Sequence, residues 1–175
     1  ARAAYLKYSG RNHGINIHRP FMHRSVVDIG GFNIEVNLLN SNFFSLKSKN
    51  DQGLHYLPPE IISAIYAPTG ADMAIALMHH SHQWFNDKCS VELEKALFEK
   101  HTMIFYGHDH YLAGKTVAYN GNAPAHIFCG GSLCNGSDWT HSEFFACIYD
   151  TDCQELIRYE FKWDGKVGIY HKELK

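Results

Sequence analysis

The chain has 175 residues, within the range of one domain, and an apolar fraction of 45% with 14% aromatics is enough to build a core. A formal net charge of -2 argues against a general nucleic-acid coat, and no apolar run approaches the roughly 18 to 20 residues that a membrane span requires. Five cysteines form neither an even disulfide framework nor a Cys-x-x-Cys clamp, so a reducing cytoplasm is the expected setting.

Residues 1–27 carry Arg2, Lys7, Arg11, Arg19 and Arg24, with no acid before Asp28. His13, His18 and His23 recur every five residues, which does not align them on a helix face, and Pro20 interrupts any helix. This segment reads either as a solvated insertion or as a basic guide for an anionic substrate. Next, Phe32, Ile34, Val36 and Leu38 alternate with Asn33, Glu35 and Asn37, which predicts a half-buried strand with the apolar set inward. Pro58, Pro59 and Glu60 open a helix running to about Tyr66, packed through Ile61, Ile62 and Ile65.

Residues 74–78 form a short apolar run that reads as a buried strand and ends in His79 and His80. A helix follows, with Ser90 as its expected cap, Glu92 and Glu94 at the positive end of its dipole, and Leu93, Ala96 and Leu97 on one face. A second buried strand, residues 103–106, leads into Gly107-His108-Asp109-His110. Strand, helix and strand make a right-handed crossover, so the two strands are expected to be parallel. Strands at 115–119 and 125–129 flank the turn signal Asn120-Gly121. Strands at 144–149, 156–162 and 167–170 complete the chain, the last two joined through Trp163, Asp164 and Gly165.

The carboxyl ends of parallel strands are where an α/β sheet presents groups to a ligand. Three imidazoles meeting on one rim point to a metal site. In a strand-like stretch His108 and His110 would point to one side, Asp109 would face away, and Gly107 would leave room for close approach. His79 ends its apolar run directly and is the preferred third ligand, with His80 the alternative; His82 reads as a loop residue. Cys129 and Cys134 flank a glycine-containing turn and read as small buried residues, because two thiols do not close a tetrahedral site. Two divalent ions would bring four positive charges that three neutral imidazoles do not offset. Asp72 and Asp138 sit in no ligand spacing, so these residues alone could make at most a mononuclear three-histidine site.

Leu77-Met78-His79-His80 and Gly107-His108-Asp109-His110 resemble the last two motifs of the calcineurin-like metallophosphoesterases. Residues 32–41, Phe-Asn-Ile-Glu-Val-Asn-Leu-Leu-Asn-Ser, resemble the strand and turn that precede the histidine strand in bacterial members. Trp84-Phe85 and Cys129-Gly130-Gly131-Ser132 stand where that family leads one to expect them, and the likeness spans most of residues 30–162. The family's carboxylate-His, Gly-Asp and Gly-Asn-His motifs are absent. Gly10-Arg11-Asn12-His13-Gly14 comes near the third but carries an inserted Arg11 and lacks a preceding apolar strand, so it reads as chance. The resemblance therefore implies an α/β/β/α sandwich of which residues 1–175 are a partial domain, the carboxyl-terminal half, with mixed sheets.

By the same resemblance His79 and His108 would bind one metal, His110 the other, and His80 would contact the phosphate. The absent motifs would supply the bridging aspartate and the general acid. Two divalent ions, manganese, iron or zinc, suit a set that mixes imidazole and carboxylate. The implied reaction is in-line attack of a metal-bound hydroxide on a phosphomonoester or phosphodiester, including nucleotides or nucleic acid, with no membrane partner. Two other readings remain: a non-catalytic binding or scaffold module of the same fold, and a mononuclear zinc protein. Fold alone does not choose the substrate.

Overall fold

The computed structural model describes residues 21–43, 45, 50–109, 111–132 and 142–173. They fall into two compact units. One comprises the described residues up to Tyr106 with Lys115–Ile127, the other Gly107–Gly114 with the described residues from Phe128 onward. No helix of the described residues is long and apolar enough to cross a membrane.

The larger element is a six-stranded mixed sheet in the order β1-β2-β3-β4-β6-β5. β1 (Met22–Ile29) and β2 (Phe32–Leu39) form an antiparallel hairpin from Met22 opposite Leu39 to Ile29 opposite Phe32. Gly30 and Gly31 close it at φ 66° and 93°, the left-handed pair that a two-residue turn needs. β3 (Met73–Met78) and β4 (Met103–Tyr106) extend the sheet in parallel, with Leu39 opposite Met78 and Met78 opposite Tyr106. The parallel crossover expected from sequence is thus present. β5 (Ala113–Val117) and β6 (Ala125–Cys129) follow, and between them Asn120 and Gly121 turn at φ 50° and 76°.

Helix α1 (Pro59–Ile65) has proline in its first turn and buries Ile61, Ile62 and Ile65, as its sequence predicts. Helix α2 (Asp87–Lys100) begins earlier than the Ser90 cap suggests. Asn86 is the cap, its Oδ1 accepting from Cys89 N at 3.1 Å, and Ser90 lies inside the first turn. Leu93, Ala96 and Leu97 are fully buried, in the same core as Ala76, Met78 and Ile104 of the sheet.

Two expectations are corrected. β1 lay hidden in the basic segment, of which residues 1–20 fall outside the described residues; His23 and Arg24 belong to a strand, not to a solvated insertion. The helix-covered face of β2 carries Glu35, Asn37 and Leu39, whereas Leu38 is 42% exposed. Parity is set by neighbours: Asn37 is level with Ala76, and Ala76 with Ile104, both fully buried. Two polar groups survive there because they are satisfied. Arg24 Nε donates to Asn37 Oδ1 at 3.0 Å and lies 3.1 Å from Glu35 Oε1. Asn37 Nδ2 donates to Glu35 Oε1 at 2.6 Å and to His101 Nε2 at 2.9 Å, and Thr69 donates to the other Glu35 oxygen. Arg24 also donates to the Ala64 and Ala67 carbonyls at the end of α1.

The second unit contains an antiparallel sheet of β7 (Glu143–Asp150), β8 (Glu155–Asp164) and β9 (Ile169–Glu173). β9 starts two residues later than its apolar pattern suggests, because residues 165–168 form the turn, with Gly168 at φ 76°. Phe144 stacks on Phe161 with centroids 4.8 Å apart, and Tyr170 packs edge-on to Phe144 and Trp163. The described residues form a mixed α/β fold with few helices, as the sequence leads one to expect.

Candidate functional site

Because Met78 and Tyr106 are directly opposite in a parallel pair, the chain leaves β3 as His79 and β4 as Gly107 at the same edge of the sheet. His79 is exposed and His80 buried. Their rings meet edge to face with centroids 4.6 Å apart, and each offers a ring nitrogen within 4.8 Å of the other's.

His80 is held on several sides. Its backbone N donates to Ser41 Oγ at 2.9 Å, and its Nδ1 lies 3.3 Å from the same oxygen. Its ring packs on His55 and Trp84, with centroids 4.3 and 5.2 Å away. His55 is fully buried and donates from Nδ1 to Ser41 O at 2.7 Å; its Nε2 approaches Asp51 Oδ2 to 3.3 Å off the hydrogen-bonding line. Backbone bonds from Gly53 N to Trp84 O and from Asn86 N to His55 O, both 2.9 Å, tie the two segments together. Ser41 and His55 are contributors that the sequence reading passed over. A serine two residues past the end of β2, which pairs with the end of β3, was the available signal.

His82 is not an ordinary loop residue. It sits buried in a single 3-10 turn (His82–Trp84), with Nδ1 3.1 Å from the Tyr106 hydroxyl and Nε2 2.8 Å from Glu94 Oε2. Burial lowers its pKa, opposed by the Glu94 carboxylate. Burial also pushes the Tyr106 phenol up, and because Nε2 of the neutral ring gives its hydrogen to the Glu94 carboxylate, Nδ1 is left to accept from the Tyr106 hydroxyl.

The strand argument for His108 is replaced by another geometry. β4 ends at Tyr106, and His108 turns through the left-handed region at φ 65°, which histidine tolerates better than most residues. The alternation of a strand therefore does not orient its ring. His110 lies outside the described residues. Asp72 stands at the amino end of β3, where its Oδ2 accepts from Asn33 N at 2.7 Å, so it is at the wrong end of the strand for this edge. Asp138, Cys134 and the segment 10–14 fall outside the described residues. Cys129 is buried, with its thiol pKa raised by that burial, as a small packing residue should be.

His79, His80 and His108 each offer one ring nitrogen, a donor type that suits zinc, manganese or iron. No family model and no curated protein matches the sequence. Among solved structures, a novel phosphatase from Mycoplasma pneumoniae is similar at a TM-score of 0.50 and 14% identity, over 82% of this chain and 58% of that one. A structure designated a 5′-nucleotidase from Staphylococcus aureus, in complex with alpha-ketoglutarate, aligns at a TM-score of 0.37 and 13% identity, over 86% of this chain and 28% of that one. The chain thus spans less than two thirds of either structure. The likeness to the first is one of fold.

Proposed function

We propose that this chain is part of a metal-dependent phosphoesterase of the calcineurin-like type. The observation that carries the reading is the parallel register of Met78 with Tyr106, which starts His79 and the segment bearing His108 from one edge of the sheet. Phosphatase-like architecture in a solved structure supports it at the level of fold. His79, His108 and His110 are assigned to divalent ions, manganese, iron or zinc, and His80 to a phosphoryl oxygen. A bound ion would supply positive charge at the phosphorus and lower the pKa of a water. The chain's own residues position the His80 ring, which Ser41, His55 and Trp84 hold. Two ions need carboxylates to balance their charge, and the histidines do not provide them. The substrate is a phosphomonoester or phosphodiester, nucleotides included.

Zinc or manganese uptake tests the reading. The purified protein should retain or take up at least one ion per chain, lose it when His108 is replaced by Ala, and hydrolyse a chromogenic phosphodiester once the carboxylate ligands are supplied. Less than one ion per chain, with no uptake on manganese addition, would overturn it in favour of a non-catalytic module.

A further inference from the structure

We infer that Ser41 fixes His80 as the tautomer protonated on Nε2, so that His80 meets a phosphoryl oxygen as a hydrogen-bond donor and stays outside the metal's ligand set. This rests on the phosphoester reading above and separates two roles that the histidine pair alone leaves equivalent. The argument is an account of protons. Ser41 is 3% exposed. Its hydroxyl has one proton to give and lone pairs to accept with. One lone pair accepts the His80 backbone N–H at 2.9 Å. Among the described residues, the sole acceptor within reach of the Ser41 hydroxyl is His80 Nδ1, at 3.3 Å. If the hydroxyl donates there, Nδ1 is the bare nitrogen and Nε2 carries the hydrogen.

The opposite assignment leaves two N–H groups aimed at one oxygen and a buried hydroxyl proton with no acceptor. An unsatisfied buried donor costs roughly 1 to 3 kcal/mol, enough to decide between tautomers that are otherwise close. A ligating histidine is commonly arranged the other way, giving its outer N–H to an acceptor and turning a lone pair to the metal. Ser41 reverses that polarity. The serine is itself immobilised, since His55 Nδ1 donates to its carbonyl at 2.7 Å while the His55 ring packs against His80. His79, exposed and one residue earlier, is the member of the pair left to the metal.

The tautomer is read directly from the ring nitrogens of His80 in the 15N-labelled protein at mildly alkaline pH, where imidazoles are neutral. A protonated Nε2 with a bare Nδ1 is expected. Zinc should move the His79 nitrogens and leave His80 protonated on Nε2, and inorganic phosphate should then shift the His80 Nε2–H. Ser41→Ala should weaken phosphate binding about tenfold at unchanged zinc affinity, the loss of roughly one charge-assisted hydrogen bond, and Ser41→Thr should restore it. A protonated Nδ1, or loss of the Nε2 proton on zinc addition, would overturn the inference without any variant. Failure of zinc to bind, with Nε2–H intact and responsive to phosphate, would remove the metal reading and leave this one standing.

Discussion

Arg24 and Asn37 face each other across the β1–β2 hairpin, and the guanidinium Nε donates to the amide oxygen at 3.0 Å. The contact anchors a buried set comprising Glu35, Thr69, His101 and the end of α1. Replacing Arg24 by Met keeps the aliphatic stem but strands the Glu35 carboxylate, 8% exposed, without its cation. Breaking a buried pair by removing one partner costs about 3 kcal/mol or more. The midpoint of urea unfolding should fall accordingly at constant slope; a loss under about 1 kcal/mol would mean the pair contributes little.

His101 sets an acid limit on stability. Burial lowers its pKa from 6.5 to about 4, opposed by its bond to the Leu97 carbonyl and by Glu35 and reinforced by Arg24. Its Nδ1 donates to Leu97 O at 3.1 Å and its Nε2 accepts from Asn37, an arrangement that only the neutral ring allows. Below pH 6.5 the unfolded chain binds a proton that folded His101 refuses, so this group's share of stability is complete above 6.5 and drains away toward pH 4. The full loss is on the order of 3 kcal/mol. His101→Gln should flatten the unfolding free energy over that window, and an unchanged slope would refute the assignment.

His108→Ala and His82→Ala should fail differently. The first should lower zinc affinity at least tenfold with little change in thermal stability. The second should leave zinc uptake in place but cost about 2 kcal/mol, because the buried Tyr106 hydroxyl loses its acceptor. Competition with a chromogenic chelator, read beside thermal unfolding, separates them. Equal loss of uptake in both would mean that the rim is elsewhere.

Gly131 is required for space. A Cβ built there would lie 2.8 Å from the Glu143 carbonyl oxygen, a backbone atom that cannot swing away. Glu143 is fixed at both ends, its N donating to Ser132 O and its Oε1 accepting from Leu112 N, each at 3.0 Å. Gly131→Ala should destabilise by about 1 to 3 kcal/mol in chemical unfolding, and a neutral result would show that the 131–132 segment gives way.

β3, β4, α1 and the turn at Asn120-Gly121 were legible because each is encoded locally, by an unbroken apolar run, a proline in a first turn, or residues that accept positive φ. The inward face of β2 was not, because what makes Asn37 tolerable lies 13 residues away in Arg24 and 64 away in His101. β1 was masked by its own arginine and histidine, although Gly30-Gly31 between two alternating runs was a readable hairpin signal. Of the candidate site, His79 and His80 were visible as the end of a strand. The Ser41 and His55 supports were not, since Ser41 reaches His80 only through strand order and His55 only through its link to the 84–86 segment, and His82 reads as a loop residue because its partners Tyr106 and Glu94 come from other elements.

The two-residue turn at Gly30-Gly31 also bears on how the sheet is assembled. A hairpin closed so tightly forms in roughly 1 to 10 μs, and it carries Arg24 into place beside Asn37 before any distant segment is needed. β2 must then wait for β3, and even the link just before it, Asn33 N to the Asp72 carboxylate, spans 39 residues, a far larger chain entropy to give up. The hairpin's exposed valines, Val26 and Val27, stand at the sheet margin during that interval. Refolding should therefore be slow at the parallel step and sensitive to protein concentration, with aggregation starting from β1 rather than from the helices.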